Sequence, residues 1–216
     1  SGAVTLDPLA IGQAMTFVLV GLAVAYFAYL FLAGGLRGDE KKRTAVIFVL
    51  FVFAAIFWAA FEQAPTSLQL FAKDFTDRTL FGWEVPATWF QVINSLFIIL
   101  FAPAFAALWV TLARRGVDLS SPAKFALGLA LAGAGFLLMV TAANAVVASG
   151  GTLLVSPWWL IGSYLLQSLG ELCISPVGLS SMTKLAPRRY VGQMMGDWFL
   201  AASVRNLVAG LEIGRA

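Results

Sequence analysis

The sequence predicts an all-α fold, a polytopic bundle of membrane-spanning helices, on the basis of three observations. Hydrophobic residues make up 60% of the 216 positions and charged residues only 12%, whereas soluble domains average about 45–50% and about 25%. Uncharged runs long enough to cross a bilayer alternate with short charged segments. The Lys and Arg content of these segments alternates between high and low along the chain, as it does in loops on the two sides of a membrane.

The first two predicted spans flank a strongly charged loop. Residues 8–36 carry no charge, and about 20 apolar residues cross the hydrocarbon core of a bilayer. Gly34 and Gly35 end this run, residues 37–43 form the charged loop, and residues 44–61 are again uncharged. We therefore expect two transmembrane helices in this region.

A polar connection at residues 73–84 leads to three complete spans and an incomplete one. The uncharged stretch after Lys124 is too long for one helix, and a turn signal at residues 149–151 divides it. A sixth span begins near Tyr190 and meets charged residues too early, so we expect an internal piece of a longer protein. The third, fourth and fifth spans are predicted at residues 85–113, 125–148 and 157–183.

The Lys and Arg residues of the loops predict the orientation of the chain. They are numerous after the first, third and fifth spans, scarce after the second, and absent from the loop after the fourth. The basic loops are therefore expected in the cytoplasm, which explains the net charge of +3 without nucleic-acid binding. Four tryptophans then fall near the outer ends of spans, as in an interfacial aromatic belt: Trp83, Trp89, Trp158 and Trp159.

The second span ends on a combination that a lipid-facing helix would not carry. Glu62 and Gln63 follow the apolar run directly, and Trp58 precedes Glu62 by one turn, so indole and carboxylate share a face. Pro65 removes a helical hydrogen bond beside the charge. The pattern predicts that Glu62 faces a polar cavity. The alternative is a Glu that lies close enough to the outer surface to be hydrated.

Glu171 is the second carboxylate within an apolar span. It lies 14 residues after Pro157, or about 21 Å along a helix, in the middle region of a core about 30 Å thick. Gln167, Glu171 and Ser175 recur every four residues and form a polar stripe, and Pro176 permits a bend. Because ionisable residues at this depth are costly, a substrate site is favoured over a structural Glu satisfied by a neighbouring helix.

Other residues have two interpretations that the sequence leaves open. Asn94, one turn after Gln91, serves either interhelical hydrogen bonding or ligand binding. Trp58 and Trp198 either line a cavity or fill the bundle. Three small residues have the spacing of close helix packing and are assigned to packing only: Gly128, Ala132 and Gly135.

The composition narrows the function to a carrier. There is no histidine and only one cysteine, Cys173, so no nucleophile–base pair and no metal or cofactor site is visible, and we expect no enzyme. Burial favours the neutral form of a carboxylate, whereas a nearby cation favours the charged form. A carboxylate in a cavity can therefore exchange a proton for a cationic partner, which indicates a proton- or cation-coupled carrier.

Five stretches of the sequence are distinctive: FWAAFEQ at residues 57–63, INSLFIILFAPAFAALW at 93–109, SPAKFALG at 121–128, GELCISPVGLSSMTKLAP at 170–187 and QMMGDWF at 193–199. Together they resemble the proton-dependent oligopeptide transporter family, the POT family, of the major facilitator superfamily. The resemblance extends over nearly all of residues 44–210, and the stretch at 170–187 is its most specific part.

The resemblance implies a larger protein. Members of that family have two six-helix bundles around a central cavity, and bacterial members carry two extra helices between the bundles. Residues 1–43 would then hold one extra helix and a cytoplasmic loop, and residues 44–216 an incomplete C-terminal bundle of about five spans. The full-length protein would carry out proton-coupled symport of di- and tripeptides as a multi-pass protein of the bacterial cytoplasmic membrane. Its partners would be small peptides, protons, the lipid bilayer and the missing N-terminal bundle, with no cofactor.

The resemblance also implies roles for single residues. Glu171 would hold the α-amino group of the peptide, and Glu62 would pair with a basic residue of the other bundle in proton coupling and gating. Four residues match cavity-lining, substrate-binding positions: Asn94, Trp58, Ser175 and Trp198. The sequence departs from the family pattern at three positions, which are Ser95 (often Pro), Asp197 (usually uncharged) and Arg205 (usually Gly).

Two alternative functions remain at this point. One is a carrier on the same scaffold for a non-peptide substrate such as nitrate or a drug. The other is a non-transporting membrane scaffold, in which neutralising Glu62 and Glu171 would change only stability. The cost of two carboxylates within the membrane disfavours the scaffold. We do not expect the fragment alone to transport, because half of the cavity would be absent.

Overall fold

The computed structural model describes residues 8–80, 82–117 and 119–199 of the chain. Most of these residues are helical, and two very short strands pair as an antiparallel hairpin. The helices are α1 (Pro8–Leu32), α2 (Gly38–Phe61), α3 (Ser67–Asp74), α4 (Trp89–Arg114), α5 (Ser121–Ala148), α6 (Trp158–Leu185) and α7 (191–199). The strands are β1 (Thr79–Leu80) and β2 (Trp83–Glu84).

Four helices, α2, α4, α5 and α6, are each long and apolar enough to cross a bilayer. The apolar part of α1, Phe17–Leu32, is shorter. Each predicted span therefore has a helix at its position, with shifted ends. The predicted sixth span corresponds to α7, and its predicted early end falls outside the described residues.

The start of α2 differs from the prediction. The helix begins at Gly38, within the charged loop, rather than at residue 44. Asp39 and Glu40 lie in its first turn, where the helix dipole stabilises negative charge, and the Lys residues that follow are good helix formers. The charged segment is therefore mostly the first turns of a helix, not a loop.

The end of α1 also differs, because the helix stops at Leu32 rather than at residue 36. The N–H groups of Ala33 and Gly34 both donate to the Tyr29 carbonyl at 2.8 Å, which closes the last turn. Gly35 then takes a φ of 59°, a conformation that glycine adopts without steric cost. The two glycines thus end the helix, as expected, but it stops four residues before the uncharged run ends.

The chain divides into two compact units, of which the first comprises, among the described residues, 8–62 and 178–199. Within it, α1 packs on α2 through aromatic rings, since the Phe27 ring centroid lies 4.9 Å from that of Phe48 and 5.5 Å from that of Phe51. The Tyr26 hydroxyl of α1 donates to Oε1 of Gln193 in α7 at 3.3 Å. Helix α1 therefore contacts both α2 and α7.

The second unit comprises residues 63–177. Its core joins α3 to the adjacent ends of α4, α5 and α6, and the Tyr164 hydroxyl within it donates to the Ala64 carbonyl at 3.3 Å. The buried core residues are Ala64, Leu68, Ala72, Val85, Ala87, Phe90, Met139, Leu160 and Tyr164.

The domain boundary predicted between residues 43 and 44 is a separate matter. It rests on the two-bundle architecture of the family and stays a prediction.

The connection predicted as merely polar at residues 73–84 is structured. The β1–β2 hairpin pairs Thr79 with Glu84, and Arg78 forms an ion pair with Glu84 and donates to the Val85 carbonyl at 2.9 Å. Pro86 keeps Val85 before it extended, and the Val85 N–H donates to the Arg78 carbonyl of the hairpin at 2.9 Å. Helix α4 therefore begins only at Trp89. The predicted start of the third span at residue 85 was therefore wrong.

Helices α5 and α6 approach each other closely at glycines. A Cβ atom at Gly128 would lie 2.5 Å from Cγ1 of Ile174 and 2.8 Å from the Gly170 carbonyl oxygen, and one at Gly135 would lie 3.0 Å from the α6 backbone. Ala132, between the two glycines, is 5% exposed. The packing role predicted for these three small residues is confirmed, and their contacts fix which side of α6 faces α5.

Candidate functional site

Glu171 projects from α6 on the side between its contacts with α5 and α4. Gln167 and Ile174 face α5, where their side chains adjoin its glycines. Ser168 faces α4, because its hydroxyl bonds to Oδ1 of Asn94. At 3.6 residues per turn, Glu171 lies about 40° from Gln167 and about 60° from Ser168 around the helix. The Glu171 carboxylate is therefore directed between α4 and α5 within the second unit.

The polar stripe predicted on α6 contains hydrogen-bonding groups that are not fully used. Gln167 is completely buried, and its Nε2 donates to Oγ of Ser163 at 2.9 Å. Within the part of the chain that the structure describes, Oε1 of Gln167 and Oγ of Ser175 are buried without a hydrogen-bond partner. Such groups are costly unless water or a ligand satisfies them. They flank Glu171 by one turn on each side, so they are placed to bind a polar ligand.

Asn94 takes part in the interhelical hydrogen bond that was one of its two interpretations. The Ser168 hydroxyl lies within hydrogen-bonding distance of both Oδ1 of Asn94 and the Tyr164 carbonyl oxygen, the latter at 2.7 Å. A substrate-binding role for Asn94 stays a prediction. Sequence reasoning missed Ser168, although its position one turn before Glu171 was a usable signal.

Glu62 stands at the C-terminal end of α2, in the first unit. Its N–H donates to the Trp58 carbonyl at 3.1 Å, so the predicted one-turn spacing of the two residues is observed. The chain then turns through residues 62–66, and this turn contains Pro65. A carboxylate at the C-terminal end of a helix is not stabilised by the helix dipole.

Trp58 is buried in an aromatic cluster at the end of α2. Only 8% of its surface is exposed, and its ring centroid lies 5.4 Å from that of Phe57 and 5.6 Å from that of Phe61, both edge-on. This packing accounts for one of its two predicted interpretations, the filling of the bundle. Cavity lining by Trp58 stays a prediction.

Trp198 of α7 packs against Gly178 of α6, also within the first unit. Three carbon atoms of its indole occupy the space that a Cβ at Gly178 would need, so this glycine is required for the contact. Here too, filling of the bundle is observed and cavity lining stays a prediction. The neighbouring Asp197 has one buried carboxylate oxygen with no hydrogen-bond partner among the described residues, whereas Arg205 lies outside the described residues.

The predicted site residues thus fall into two groups. Asn94, Glu171 and Ser175 belong to the second unit, in which Asn94 of α4 contacts Ser168 of α6, one turn before Glu171. Trp58, Glu62 and Trp198 belong to the first unit. The transport roles of all six residues stay predictions.

Comparison with known sequences gives a consistent result. A sequence model of the POT family matches residues 16–214. The peptide transporter YePEPT of Yersinia enterocolitica is 49% identical over 97% of this chain and 41% of its own length. Dipeptide and tripeptide permease A of Escherichia coli K12 is 34% identical over 94% of this chain and 39% of its own length. The chain therefore spans about two fifths of these relatives.

Solved structures agree with the sequence matches. A POT peptide transporter crystallised with sulfate has a TM-score of 0.85 and 36% identity, over 95% of this chain and 41% of its own. A POT family transporter crystallised with 5-aminolevulinic acid has a TM-score of 0.85 and 31% identity, over 97% and 43%. The predicted fold class is confirmed: this is an all-α, multi-pass membrane chain that corresponds to part of such a transporter.

Proposed function

Because this chain belongs to the POT family, we propose that the full-length protein containing it is a proton-coupled symporter of di- and tripeptides. Two relatives support peptide transport: one is a peptide transporter, and the other is a dipeptide and tripeptide permease. Their bacterial origin supports the bacterial cytoplasmic membrane as its location. Membership of a transporter family also argues against an enzyme.

The observation that carries the proposal is the polar stripe on α6, which consists of Gln167, Glu171 and Ser175. On the same helix, Ser168 contacts Asn94 of α4. A carboxylate deep in a membrane costs at least about 2.5–3.5 kcal/mol on insertion scales, and an ammonium group at hydrogen-bonding distance offsets that cost. A peptide offers such an ammonium group at its N-terminus and amide groups next to it. The amides match the unused hydrogen-bonding groups of Gln167 and Ser175.

The chemistry of this stripe bears on the alternative substrates. Nitrate carries a negative charge, which the Glu171 carboxylate would repel, so the stripe disfavours a nitrate carrier. The relative crystallised with 5-aminolevulinic acid contains a ligand with a primary amine. That ligand supports an amine-binding site of the same kind. A drug carrier would need a substrate with a comparable amino group.

We assign proton coupling to Glu62. In the charged form its carboxylate would attract a basic residue supplied by the part of the protein outside this chain. In the protonated form that attraction would be lost, and the two bundles would be free to separate there. Glu62 stands at a helix C-terminus, where the helix dipole does not stabilise negative charge, so a basic partner would supply that stabilisation.

The proposal is tested by uptake of labelled dialanine into liposomes that contain the full-length protein. We expect uptake to follow an inward proton gradient and to stop when an ionophore dissipates that gradient. Trialanine should compete, whereas nitrate and N-acetyl-dialanine should not, because acetylation removes the ammonium group. Gradient-independent uptake, or competition by nitrate, would reject the proposal.

A further inference from the structure

A polar cavity of about 460 Å³ lies in the first unit, where α1 ends and α2 begins. Its lining contains three arginines and one glutamate, and none of the predicted transport residues. The cavity therefore requires an explanation separate from peptide transport. It is lined by Gly35, Arg37, Glu40, Arg188 and Arg189.

The Arg189 guanidinium is held in a fixed position at this cavity. Its Nη2 donates to the Gly35 carbonyl at 2.8 Å and lies 3.4 Å from Oε2 of Glu40. Its Cζ lies 5.1 Å from the centroid of the Tyr190 ring, and the Tyr190 hydroxyl donates to the Gly34 carbonyl at 3.0 Å. These bonds attach the segment after α6 to the turn after α1 and preorganise one wall of the cavity.

The carboxylate of Glu40 is already engaged within this arrangement. Its Oε2 accepts the backbone N–H of Arg37 at 3.0 Å in addition to its ion pair with Arg189. Arg37 and Arg188 are exposed, and no ion pair of either guanidinium is recorded within the described residues. The cavity thus combines three positive charges with one negative charge that Arg189 already balances.

We propose that this cavity binds a phosphate group, and that the ligand in the membrane is the headgroup of an anionic phospholipid. Arginine suits this role because its planar fork of N–H donors matches the oxygens of a phosphate in bidentate geometry. The start of α2 adds to the effect, since the positive end of the helix dipole attracts anions. Arg37 and Arg188 would contact the phosphate, and Arg189 would hold the wall.

The place of the cavity in the chain supports the lipid as the source of the phosphate. The membrane-type helices α1 and α6 end at Leu32 and Leu185, and α2 begins at Gly38, so the cavity lies at helix ends rather than along their apolar lengths. The charged segment at residues 37–43, which includes the start of α2, is predicted to be cytoplasmic from its Lys and Arg residues. Basic pockets at that level of a membrane protein are suited to anionic headgroups.

The test measures lipids retained by the full-length protein, using native mass spectrometry after mixing with dioleoyl-phosphatidylglycerol or dioleoyl-phosphatidylcholine. We expect preferential retention of phosphatidylglycerol by the wild type. The variant Arg37→Gln with Arg188→Gln should weaken that binding about tenfold or more, and the corresponding double Lys variant should retain part of it. Thermal unfolding confirms that each variant is folded.

The matched control is Arg114→Gln with Arg115→Gln, because this arginine pair lies at the end of α4 in another loop predicted to be cytoplasmic. It should keep the wild-type preference. Equal losses in both variants, or no loss in the cavity variant, would overturn the proposal. Inorganic phosphate is added in a further arm without lipid. If inorganic phosphate binds in an arginine-dependent manner and the protein shows no preference between the two lipids, the cavity is a phosphate site. Its ligand is then a soluble phosphate compound and not a lipid headgroup.

Discussion

At Gly128 the α5 backbone lies so close to α6 that a methyl group does not fit. A Cβ there would overlap Ile174, so we expect Gly128→Ala to destabilise the full-length protein by about 1–3 kcal/mol. Gly133 in the same helix has open space around its Cα, and Gly133→Ala should be neutral or stabilising by up to about 1 kcal/mol. Thermal unfolding in detergent measures both changes. Identical unfolding temperatures for the two variants would refute the packing account.

The hydrogen bond between Asn94 and Ser168 allows the two interpretations of Asn94 to be separated. Substituting each residue by Ala, singly and together, should give a coupling energy of about 0.6 kcal/mol and at most about 1.7 kcal/mol, as for other interhelical hydrogen bonds in membranes. If Asn94 also binds substrate, Asn94→Ala should weaken dipeptide affinity more than Ser168→Ala does. We expect that difference. Equal affinities would leave Asn94 with a structural role only.

Single residues of the candidate site were predictable to different degrees. Glu62 and Glu171 stand out because a charge within an apolar run is energetically conspicuous. Ser168 is marked only by its position one turn before Glu171, because serine is common in such helices and its hydroxyl can bond to its own helix backbone. The contact of Trp198 with Gly178 depends on residues twenty positions apart on two helices, and no local pattern encodes it.

At the scale of elements, the apolar runs predicted the helices but not the structure between them. The spans were recognisable because hydrophobic length is a strong signal. Helix α3 has only eight residues and the hairpin strands two each, too few for a periodic pattern to appear. The predicted starts of α2 and α4 were wrong because charge and hydropathy mark where the chain enters the membrane, not where the helix begins. Helix ends depend instead on local features such as the acidic first turn of α2 and the proline before α4.

Helix α6 contains Pro176, and the division between the two units falls directly after Val177. A proline in a helix interior removes one hydrogen bond and permits bending at that point. We expect Pro176→Ala to lower the turnover of peptide transport several-fold while the unfolding temperature is kept or raised. Proton-driven uptake and thermal unfolding provide the two readouts.

The matched control is Pro103, which also lies inside a membrane-spanning helix, α4, and is exposed. Pro103→Ala should leave transport unchanged, since no polar stripe adjoins it on that helix. Equal transport losses in the two proline variants would show that helix straightening in general, and not the position of Pro176 beside Ser175, affects turnover.

At the scale of the whole molecule, substrate binding and proton response are proposed to belong to different parts of the chain. Glu171, on α6 in the second unit, would bind the amino group of the peptide, and Glu62, at the end of α2 in the first unit, would respond to protons. A transporter built in this way should still exchange peptide across the membrane without a gradient when Glu62 is replaced by Gln, although it should lose gradient-driven accumulation. Loss of exchange as well would contradict this division of roles.

Binding of the peptide amino group by Glu171 is tested by gradient-driven dipeptide uptake by Glu171→Gln, compared with wild type and with Glu84→Gln. Glu84 is the exposed partner of the ion pair with Arg78 in the hairpin, and a carboxylate so exposed contributes little to stability, about 0–1 kcal/mol. We expect Glu84→Gln to transport like wild type, whereas Glu171→Gln should remain folded and lose uptake about 30-fold or more, because the ammonium group of the peptide loses its partner. Wild-type uptake by a folded Glu171→Gln protein would contradict this role of Glu171.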